Sequence, residues 1–218
     1  MIHAYEWSKI GLSNVLRAIK CSARRLLRKP SGSLHVIHIE TQRLILRRMQ
    51  DSDLESYHEI DNRPGHCQFL SRSPHTLDQS RDFIATARDL PLGTEGHYLH
   101  VSVVLKQTDG MIGNVCIKVE SEAHRQGDVG WFLSADHRGQ GLATEACRVW
   151  IDFCFEQLRL HRITARCDAN NTRSRAMMER LGMRQEGDYK EIAFFDDVWH
   201  DQYCYAILAP EWAKARTT

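Results

Sequence analysis

The sequence predicts a single α/β domain, and three observations lead to this prediction. Short apolar runs typical of strands alternate with longer segments whose apolar residues recur at helical spacing. An Asp109-Gly110 pair between two apolar runs indicates an antiparallel hairpin. The 218 residues, 42% of them hydrophobic, suffice for one substantial core, and neither internal repeats nor low-complexity stretches interrupt them.

The first half of the domain is predicted to contain a strand, two helices and the hairpin. In chain order, these are a strand from Leu44 to Arg48, helices from Asp51 to Ile60 and from Thr76 to Asp89, and hairpin strands from Tyr98 to Leu105 and from Met111 to Val119.

The second half begins with an apolar strand around Val129 to Leu133 and continues through a glycine-bearing turn into an amphipathic helix. Next come a strand from Ile163 to Cys167, a helix from Thr172 to Leu181 with Gly182 as its C-cap, and two final strands. The helix after the turn is predicted to bury Leu142, Ala146, Val149, Trp150 and Phe153, and to turn Thr144, Glu145, Arg148 and Asp152 toward solvent.

The turn before this helix, Arg138 to Ala143, is predicted to bind an anion. The first N–H groups of a helix have no partner within it, and the helix dipole places partial positive charge at the same end. A phosphate can therefore bind there without a dedicated side chain. Gly139 and Gly141 lack a Cβ, so they can adopt backbone conformations closed to other residues and allow a diphosphate to approach the main chain.

Three kinds of phosphate-binding turn were compared with this segment. A P-loop requires Gly-Lys-Ser/Thr, but Gly141 is followed by Leu142 and Ala143. A dinucleotide fingerprint requires a third Gly or Ala where this chain has Thr144. The Arg/Gln-x-x-Gly-x-Gly/Ala turn of acyl-coenzyme A binding is matched by Arg138, Gly141 and Ala143. An ordinary strand-to-helix turn is the alternative for these six residues taken alone.

Further motifs make the chain resemble the GNAT superfamily of N-acetyltransferases, and the RimJ/RimL branch in particular. The strand ending near Cys167 is followed by Asn171-x-x-Ser174, a helix and Leu181-Gly182-Met183. The opening Glu40 to Arg47 and the closing Trp199-His200-Asp201 are similar to that branch. The resemblance spans roughly Ile39 to Trp212, and the four motifs occur in the family's order.

The resemblance implies a mixed, mostly antiparallel sheet, flanked by helices, whose central strands splay apart to admit acetyl-CoA. It implies transfer of the acetyl group to a primary amine by direct attack. Main-chain groups at Phe132 and Leu133 would lie along the pantetheine arm, Asn171 would lie near that arm, and Ser174 would donate a proton to the departing thiolate. The resemblance also implies that the following residues contact the diphosphate of acetyl-CoA: Arg138, Gly139, Gln140, Gly141, Leu142, Ala143 and Thr144.

Two parts of this site remain open from the sequence. Asn171 or Thr172 has the alternative role of capping the following helix, with Ser174 in its first turn. The amine must lose a proton, and no single base stands out. The candidates are Asp128, Glu120, Glu122, Glu191, Tyr203, Tyr205 and His200.

Composition narrows the class of protein. No apolar run approaches the ~20 residues that a membrane span requires. Seven cysteines, without a Cys-x-x-Cys pair or a secretory signal pattern, favour reduced thiols and a cytoplasmic protein. The cysteines are interpreted as small core residues, Cys147 and Cys154 in particular, rather than as acyl-carrying nucleophiles. No metal site is predicted, because the His-x-x-His pairs lie in extended segments where this spacing points the side chains to opposite faces.

Residues 1–37 are predicted to form a separate basic extension, and residues 38–218 the acetyltransferase domain. The extension holds seven Lys/Arg against one acid, and its apolar residues recur at helical spacing. Such a helix fits an anionic partner such as a membrane surface or RNA. The alternative is an extension without a selected role. The rest of the chain is mildly acidic, which favours a cationic acceptor.

The leading interpretation is a RimJ/RimL-type enzyme that acetylates a protein N-terminal α-amine. A small amine, such as a polyamine or an antibiotic, is the next candidate within the class. The competing classes are a non-catalytic acyl-CoA-binding module and a ribosome- or nucleic-acid-associated factor. The sequence leaves open the acceptor's identity, which depends on the irregular loops 62–74 and 89–96. It also does not decide whether the protein is a monomer or a homodimer.

Overall fold

A computed structural model describes residues 37–70 and 72–216. The predicted basic extension therefore lies outside the described residues, except for Ile37, whose side chain is buried in the main core. The strands are β1 His38–Glu40, β2 Leu44–Arg48, β3 Tyr98–Leu105, β4 Gly110–Ser121, β5 Gln126–Leu133, β6 Arg162–Asp168, β7 Arg184–Phe195 and β8 Val198–Leu208. The helices are α1 Leu54–Asp61, α2 Leu77–Asp89, α3 Leu142–Glu156, α4 Thr172–Arg180 and α5 Ala209–Ala215.

The strands form one twisted sheet in the order β1-β2-β3-β4-β5-β6-β8-β7. All neighbouring strands are antiparallel except β5 and β6, which run parallel. The β5–β6 pair is short, because only residues 126–128 face residues 162–164. Beyond Asp128 the two strands separate, which leaves one edge of β5 without a neighbouring strand. The predicted mixed, mostly antiparallel sheet with splayed central strands is confirmed.

Most predicted elements are present with small differences at their ends. The predicted strands Leu44–Arg48 and Tyr98–Leu105 coincide with β2 and β3. The first predicted helix divides into a 3₁₀ turn at Asp51–Asp53 and α1. Gly182 has φ 76° immediately after α4, as a C-cap glycine requires. Sequence analysis did not identify α5, which is only seven residues long.

Helix α3 packs against the sheet and carries much of the main core. Trp150 is fully buried, and its indole N–H donates to the Cys116 carbonyl at 3.0 Å. Cys147 and Cys154 are buried with free thiols, so the prediction that they are core residues is confirmed. The predicted polar face needs correction, because the Glu145 side chain is only 18% exposed. It packs beside Thr41 and Arg43 at the start of β2, a contact that helical periodicity cannot reveal.

A second, smaller core lies between α1, α2 and the sheet. Tyr57 is fully buried and stacks on Phe83 at a centroid distance of 4.8 Å. Asp61 is also fully buried, and its carboxylate receives two hydrogen bonds from Arg72 and one from the His75 N–H. None of the helices within residues 37–70 and 72–216 has the length and apolarity that crossing a bilayer requires.

Candidate functional site

The turn that precedes α3 has the open backbone conformation expected from its glycines. Gly139 has φ 74° and Gly141 has φ 76°, a left-handed region that other residues rarely adopt. Gly141 is the N-cap of α3, and the Glu145 N–H makes the first helical hydrogen bond, to the Gly141 carbonyl at 3.0 Å. This path turns the chain so that successive N–H groups before α3 face outward.

A salt bridge from the start of β2 holds the turn in place. Arg43 Nη1 donates to the Gln140 carbonyl at 2.8 Å, while Arg43 Nη2 lies 2.6 Å from Glu145 Oε2. Thr41 Oγ1 donates to Glu145 Oε1 at 2.5 Å. Partial burial acts to raise the pKa of Glu145, but the hydrogen bonds from Thr41 and Arg43 outweigh it and hold the pKa below its ordinary value. The Glu145 carboxylate is therefore engaged by β2 and leaves the turn's N–H groups open.

The N–H groups of residues 139–144 are not used by the fold. Within the described parts of the chain, none of these six groups donates a hydrogen bond to another protein group. They lie at the positive end of the α3 dipole. Leu142 is 2% exposed, so its side chain belongs to the core and only its main chain is available. The Gln140 side chain bonds back to the Asp136 carbonyl at 3.3 Å and does not line the adjoining cleft.

A cleft of about 1300 Å³ opens beside the turn and runs between β5 and α4. Four arginines line it, and none of them forms an ion pair with another described residue: Arg138, Arg148, Arg173 and Arg180. Among the described residues that line the cleft, Glu145 is the only acid, and Arg43 neutralises it. The cleft therefore carries a positive potential suited to a ligand with several phosphates. Its size, free N–H groups and charge fit the diphosphate and the extended arm of coenzyme A.

The free edge of β5 forms one wall of this cleft. Phe132 and Leu133 line it, beyond the point where β6 diverges. Their side chains also pack in the protein, since Leu133 is 9% exposed and the Phe132 ring meets His66 edge-on at 4.8 Å. Phe132 and Leu133 expose an unpaired backbone edge of β5 to the cleft. An extended ligand that carries amide groups can form main-chain hydrogen bonds to such an edge.

Asn171 and Ser174 lie where the cleft meets a second, smaller cavity, and both residues line both spaces. Asn171 is the N-cap of α4, because its Oδ1 accepts from the Ser174 N–H at 3.1 Å. The capping role left open by the sequence is thus present. It occupies only the Asn171 oxygen and the Ser174 main chain, so the Asn171 amide nitrogen and the Ser174 hydroxyl remain available to a ligand.

The smaller cavity, of about 600 Å³, contains Asp128 among aromatic side chains that include Tyr57, Phe83 and Tyr98. Asp128 is 4% exposed; its Oδ2 accepts from the Tyr98 hydroxyl at 2.7 Å and its Oδ1 from the Thr164 hydroxyl at 2.9 Å. Burial raises the pKa of Asp128 above its ordinary value, against the lowering effect of these two hydrogen bonds. A carboxylate in this setting attracts a cation and accepts a proton more readily than an exposed one.

The remaining candidates for the base lie outside both cavities. Glu120 pairs with Lys118 and Arg166, whereas Glu122 and Glu191 are exposed. The Tyr205 hydroxyl donates to Glu179, on the side of α4. Neither Tyr203 nor His200 is among the residues that line the two spaces.

His200 lies within β8 and joins it to the end of β6, because its Nδ1 lies 2.8 Å from Asp168 Oδ2. It is therefore a strand residue and not a turn residue.

Several site residues were missed from the sequence. Tyr98 and Thr164 reach Asp128 from strands 30 and 36 residues away, and no local pattern indicates such contacts. His100, also in the smaller cavity, is half-buried, and loss of solvent around its ring lowers its pKa to about 4, so it is neutral at pH 7. Its Nδ1 lies 2.9 Å from the Asn114 amide nitrogen, which makes Nδ1 the acceptor.

Comparison with known proteins agrees with this geometry. A sequence profile of the Acetyltransferase (GNAT) domain matches residues 43–184. The uncharacterized N-acetyltransferase p20 of Bacillus licheniformis is 30% identical over 174 residues, which cover 79% of this chain and 97% of that protein. The [Ribosomal protein uS5]-alanine N-acetyltransferase of Escherichia coli is 31% identical over 88 residues, 40% of this chain and 45% of that protein.

Solved structures show the same fold. A GNAT-family acetyltransferase from Bacillus anthracis is 27% identical, with a TM-score of 0.70, over 79% of this chain and 98% of that chain. Two more distant structures contain coenzyme A. The first is RimL, a ribosomal L7/L12 α-N-protein acetyltransferase, which is 18% identical with a TM-score of 0.70 over 79% of this chain and 98% of that chain. The second is a spermidine N-acetyltransferase from Vibrio cholerae that also holds spermine; it is 21% identical with a TM-score of 0.68 over 79% of this chain and 99% of that chain.

The profile match covers well over half of the chain, and the mixed, mostly antiparallel sheet is the fold of the GNAT structures that it resembles. The resemblance to GNAT enzymes and the predicted use of acetyl-CoA are confirmed. The chain belongs to the GNAT acetyltransferase family and is an acetyl-CoA-dependent N-acetyltransferase with relatives among the ribosomal-protein acetyltransferases.

Proposed function

We propose that this enzyme acetylates the N-terminal α-amine of a polypeptide. The observation that carries the proposal is the junction of two spaces at Asn171 and Ser174. The larger space is cationic and suits acetyl-CoA. The smaller is lined by aromatic side chains, by the buried Asp128, and by Arg72 and Arg166, which pair with Asp61 and Glu120 outside it. Its carboxylate without an ion-pair partner suits an amine. A reaction between an acyl donor and an amine requires the two to meet at one point, and this junction provides it.

Acetyl-CoA, when bound, supplies an acetyl group activated as a thioester. We assign its diphosphate to the free N–H groups of residues 139–144, with Arg138 as a charged partner. Each charge-assisted hydrogen bond of this kind contributes about 1.5–3 kcal/mol. The open edge of β5 at Phe132 and Leu133 would hold the pantetheine arm through main-chain hydrogen bonds. We assign the Asn171 amide nitrogen to the same arm, because its oxygen is occupied by the cap.

Proton transfers are assigned to one residue of the smaller cavity, which we call the amine cavity, and to one residue at the junction. Asp128 takes the proton that the ammonium must lose before its nitrogen can attack, since its raised pKa and its position in the amine cavity suit a base. Tyr98 and Thr164 orient its two oxygens. As the new carbon–nitrogen bond forms and the carbon–sulfur bond breaks, Ser174 gives its hydroxyl proton to the departing sulfur. Ser174 regains a proton from the nitrogen, which loses its second proton to become a neutral amide. No residue of the protein needs to carry the acetyl group.

The relatives support a polypeptide acceptor, because several are named for ribosomal proteins, among them the uS5-alanine enzyme. A small polyamine is the second candidate, and the spermidine N-acetyltransferase of the same fold favours it.

Relatives named for ribosomal proteins, together with free thiols at the six described cysteines, support a cytoplasmic location. We further propose that residues 38–218 form the catalytic domain and residues 1–37 a distinct basic extension with an anionic partner.

A free-thiol assay tests the acceptor assignment. The full chain is incubated with acetyl-CoA and, separately, with peptides that begin Ala or Ser, with the same peptides blocked at the N-terminus, and with spermidine. We expect thiol release with the free peptides and none with the blocked ones. Mass spectrometry then locates the acetyl group. Release with spermidine alone would contradict the proposed acceptor and leave the enzyme class unchanged.

A further inference from the structure

His100 presents a fixed hydrogen-bond donor to the amine cavity. Its side chain lines that cavity, and its Nδ1 accepts from the amide nitrogen of the buried Asn114 at 2.9 Å. Because Nδ1 accepts, the ring proton of the neutral imidazole lies on Nε2. Loss of solvent around the ring lowers the pKa of His100 to about 4, so this neutral form persists at pH 7.

The Nε2–H group of His100 is open to a ligand. It makes no hydrogen bond to another residue within 37–70 and 72–216. In that part of the chain, the fully buried polar side-chain atoms without a partner belong to His66 and His137. His100 Nε2 is therefore accessible, and the space that its side chain lines is the amine cavity.

Most other donors of the cavity wall are used by the fold. They bond to partners as follows: Arg72 to Asp61, Arg166 to Glu120, Tyr98 to Asp128 and Tyr57 to His75. Two further side chains of the wall carry N–H groups without a partner among the described residues. The Trp131 indole packs toward the main core, and Gln202 lies on β8, away from β3. His100 is thus the free donor on the part of the wall that β3 forms.

His100 lies on the same face of the sheet as Asp128, in the neighbouring row of residues. Asp128 belongs to the row of Tyr98, whereas His100 belongs to the row of Cys116 and Gly130. The two rows are two residues apart, or about 7 Å. Tyr98 connects them, because its ring centroid lies 6.1 Å from that of His100 and its hydroxyl donates to Asp128. Gly130 and the small Cys116 leave the floor of the cavity low between His100 and the free edge of β5.

We propose that His100 Nε2–H donates to the carbonyl oxygen of the acceptor's first residue while the α-amine of that residue lies at Asp128. The amine nitrogen and the carbonyl oxygen of one residue are about 3 Å apart. With hydrogen bonds of about 2.9 Å at each end, this unit can span the distance between the two rows.

The inference rests on the proposed function, and it adds a reason for the choice of amine. A lysine side chain or a polyamine carries a methylene group where an α-amine carries its neighbouring carbonyl. Either of these amines would leave the His100 N–H without a partner inside the cavity, which costs binding free energy. The His100 donor would therefore select α-amines of polypeptides.

The test uses the full chain, acetyl-CoA and two peptides of one sequence beginning with alanine. In the second peptide, a trans carbon–carbon double bond replaces the first peptide bond, which keeps the shape and removes the carbonyl oxygen. The ratio of kcat/KM for the two peptides is compared between enzymes, so the different basicity of the two amines cancels.

Four variants assign any preference to a residue. His100→Phe keeps a flat ring without the donor, whereas the amide of His100→Gln can accept from Asn114 and donate to the ligand. Gln202→Leu removes the donor on β8. His97→Phe is the matched control, because His97 is exposed and lines neither cavity. Circular dichroism checks that each variant is folded.

We expect the wild type to prefer the unmodified peptide by roughly 5- to 100-fold. His100→Phe should reduce this preference to within about twofold, and His100→Gln should retain at least about threefold. His97→Phe and Gln202→Leu should keep the wild-type preference. Calorimetry should find the acetyl-CoA affinity of His100→Phe within about twofold of the wild type, because His100 lies outside the larger cleft.

Three outcomes would overturn the assignment of His100: a wild type without preference, a His100→Phe variant that keeps it, and a loss of preference in Gln202→Leu instead. Calorimetric binding of both peptides to the enzyme with coenzyme A separates this inference from the proposed function. A His100-dependent preference in binding, without acetylation of either peptide, would support the contact and contradict the proposed acceptor. Absence of both binding and acetylation would overturn both proposals.

Discussion

Replacing Gly141 with tryptophan separates the role of the turn before α3 in binding from its role in folding. Gly141 has φ 76°, where a side chain costs roughly 1–2 kcal/mol. A Cβ there would lie in ordinary contact with Arg43 Nη2, 3.6 Å away, and the larger indole of a tryptophan would crowd the guanidinium that holds the Gln140 carbonyl. Gly93→Trp is the matched control, because Gly93 has φ 78° with no atom within 4 Å of its Cβ and lies outside the cleft.

The two variants should lose similar stability and differ in acetyl-CoA affinity. For a domain of this size, 1–2 kcal/mol corresponds to a fall in Tm of roughly 2–8 °C. If Gly141→Trp removes two hydrogen bonds between N–H groups and the diphosphate, about 3–6 kcal/mol of binding free energy is lost, or roughly 10²- to 10⁴-fold in Kd. Isothermal titration calorimetry with acetyl-CoA measures the affinity, and scanning calorimetry measures Tm.

The reasoning would be refuted if Gly141→Trp bound acetyl-CoA as tightly as Gly93→Trp while both remained folded. The N–H groups of residues 139–144 would then not be the main anchor of the diphosphate. Equal loss of affinity in both variants would point to a general effect of destabilisation instead.

Three further predictions concern the base, the proton donor and the buried ion pair. Asp128→Asn should lower kcat about 10²- to 10⁴-fold without changing acetyl-CoA affinity. In the wild type, activity should fall as pH drops through the Asp128 pKa, which burial raises above its ordinary value. A pH–rate profile with unchanged kcat in the variant would exclude this base. Ser174→Ala should reduce kcat more than acetyl-CoA affinity, whereas a parallel fall of both would indicate positioning alone. Asp61→Asn should destabilise the fold by about 3–5 kcal/mol at pH 7, because Arg72 loses its buried partner. Burial alone would raise the Asp61 pKa, but Arg72 lowers it below its ordinary value. The stability that the ion pair contributes is therefore present above about pH 4 and is lost as pH falls through the folded-state pKa of Asp61. Chemical denaturation at pH 7 and pH 3 measures this difference in the free energy of unfolding.

Local features of the site could be predicted because a few consecutive residues determine them. The glycines at 139 and 141, followed by the apolar pattern of α3, specify a strand, a turn and a helix start, and free N–H groups follow from the geometry of any helix start. The Asn171 cap and the Gly182 stop are local in the same way. Helical periodicity was less informative about Glu145, which it assigned to solvent.

The sequence by itself determined the family, the order of elements and the turn suited to a diphosphate, since each depends on residues adjacent in the chain. Only the tertiary structure decided which acid lies in the smaller cavity. Asp128 is distinguished from Glu120, Glu122 and Glu191 by its burial and by hydroxyls from β3 and β6, which the fold brings together across more than thirty residues. The separation of β5 from β6 beyond Asp128 is likewise a property of strand pairing, and no short stretch of sequence encodes it.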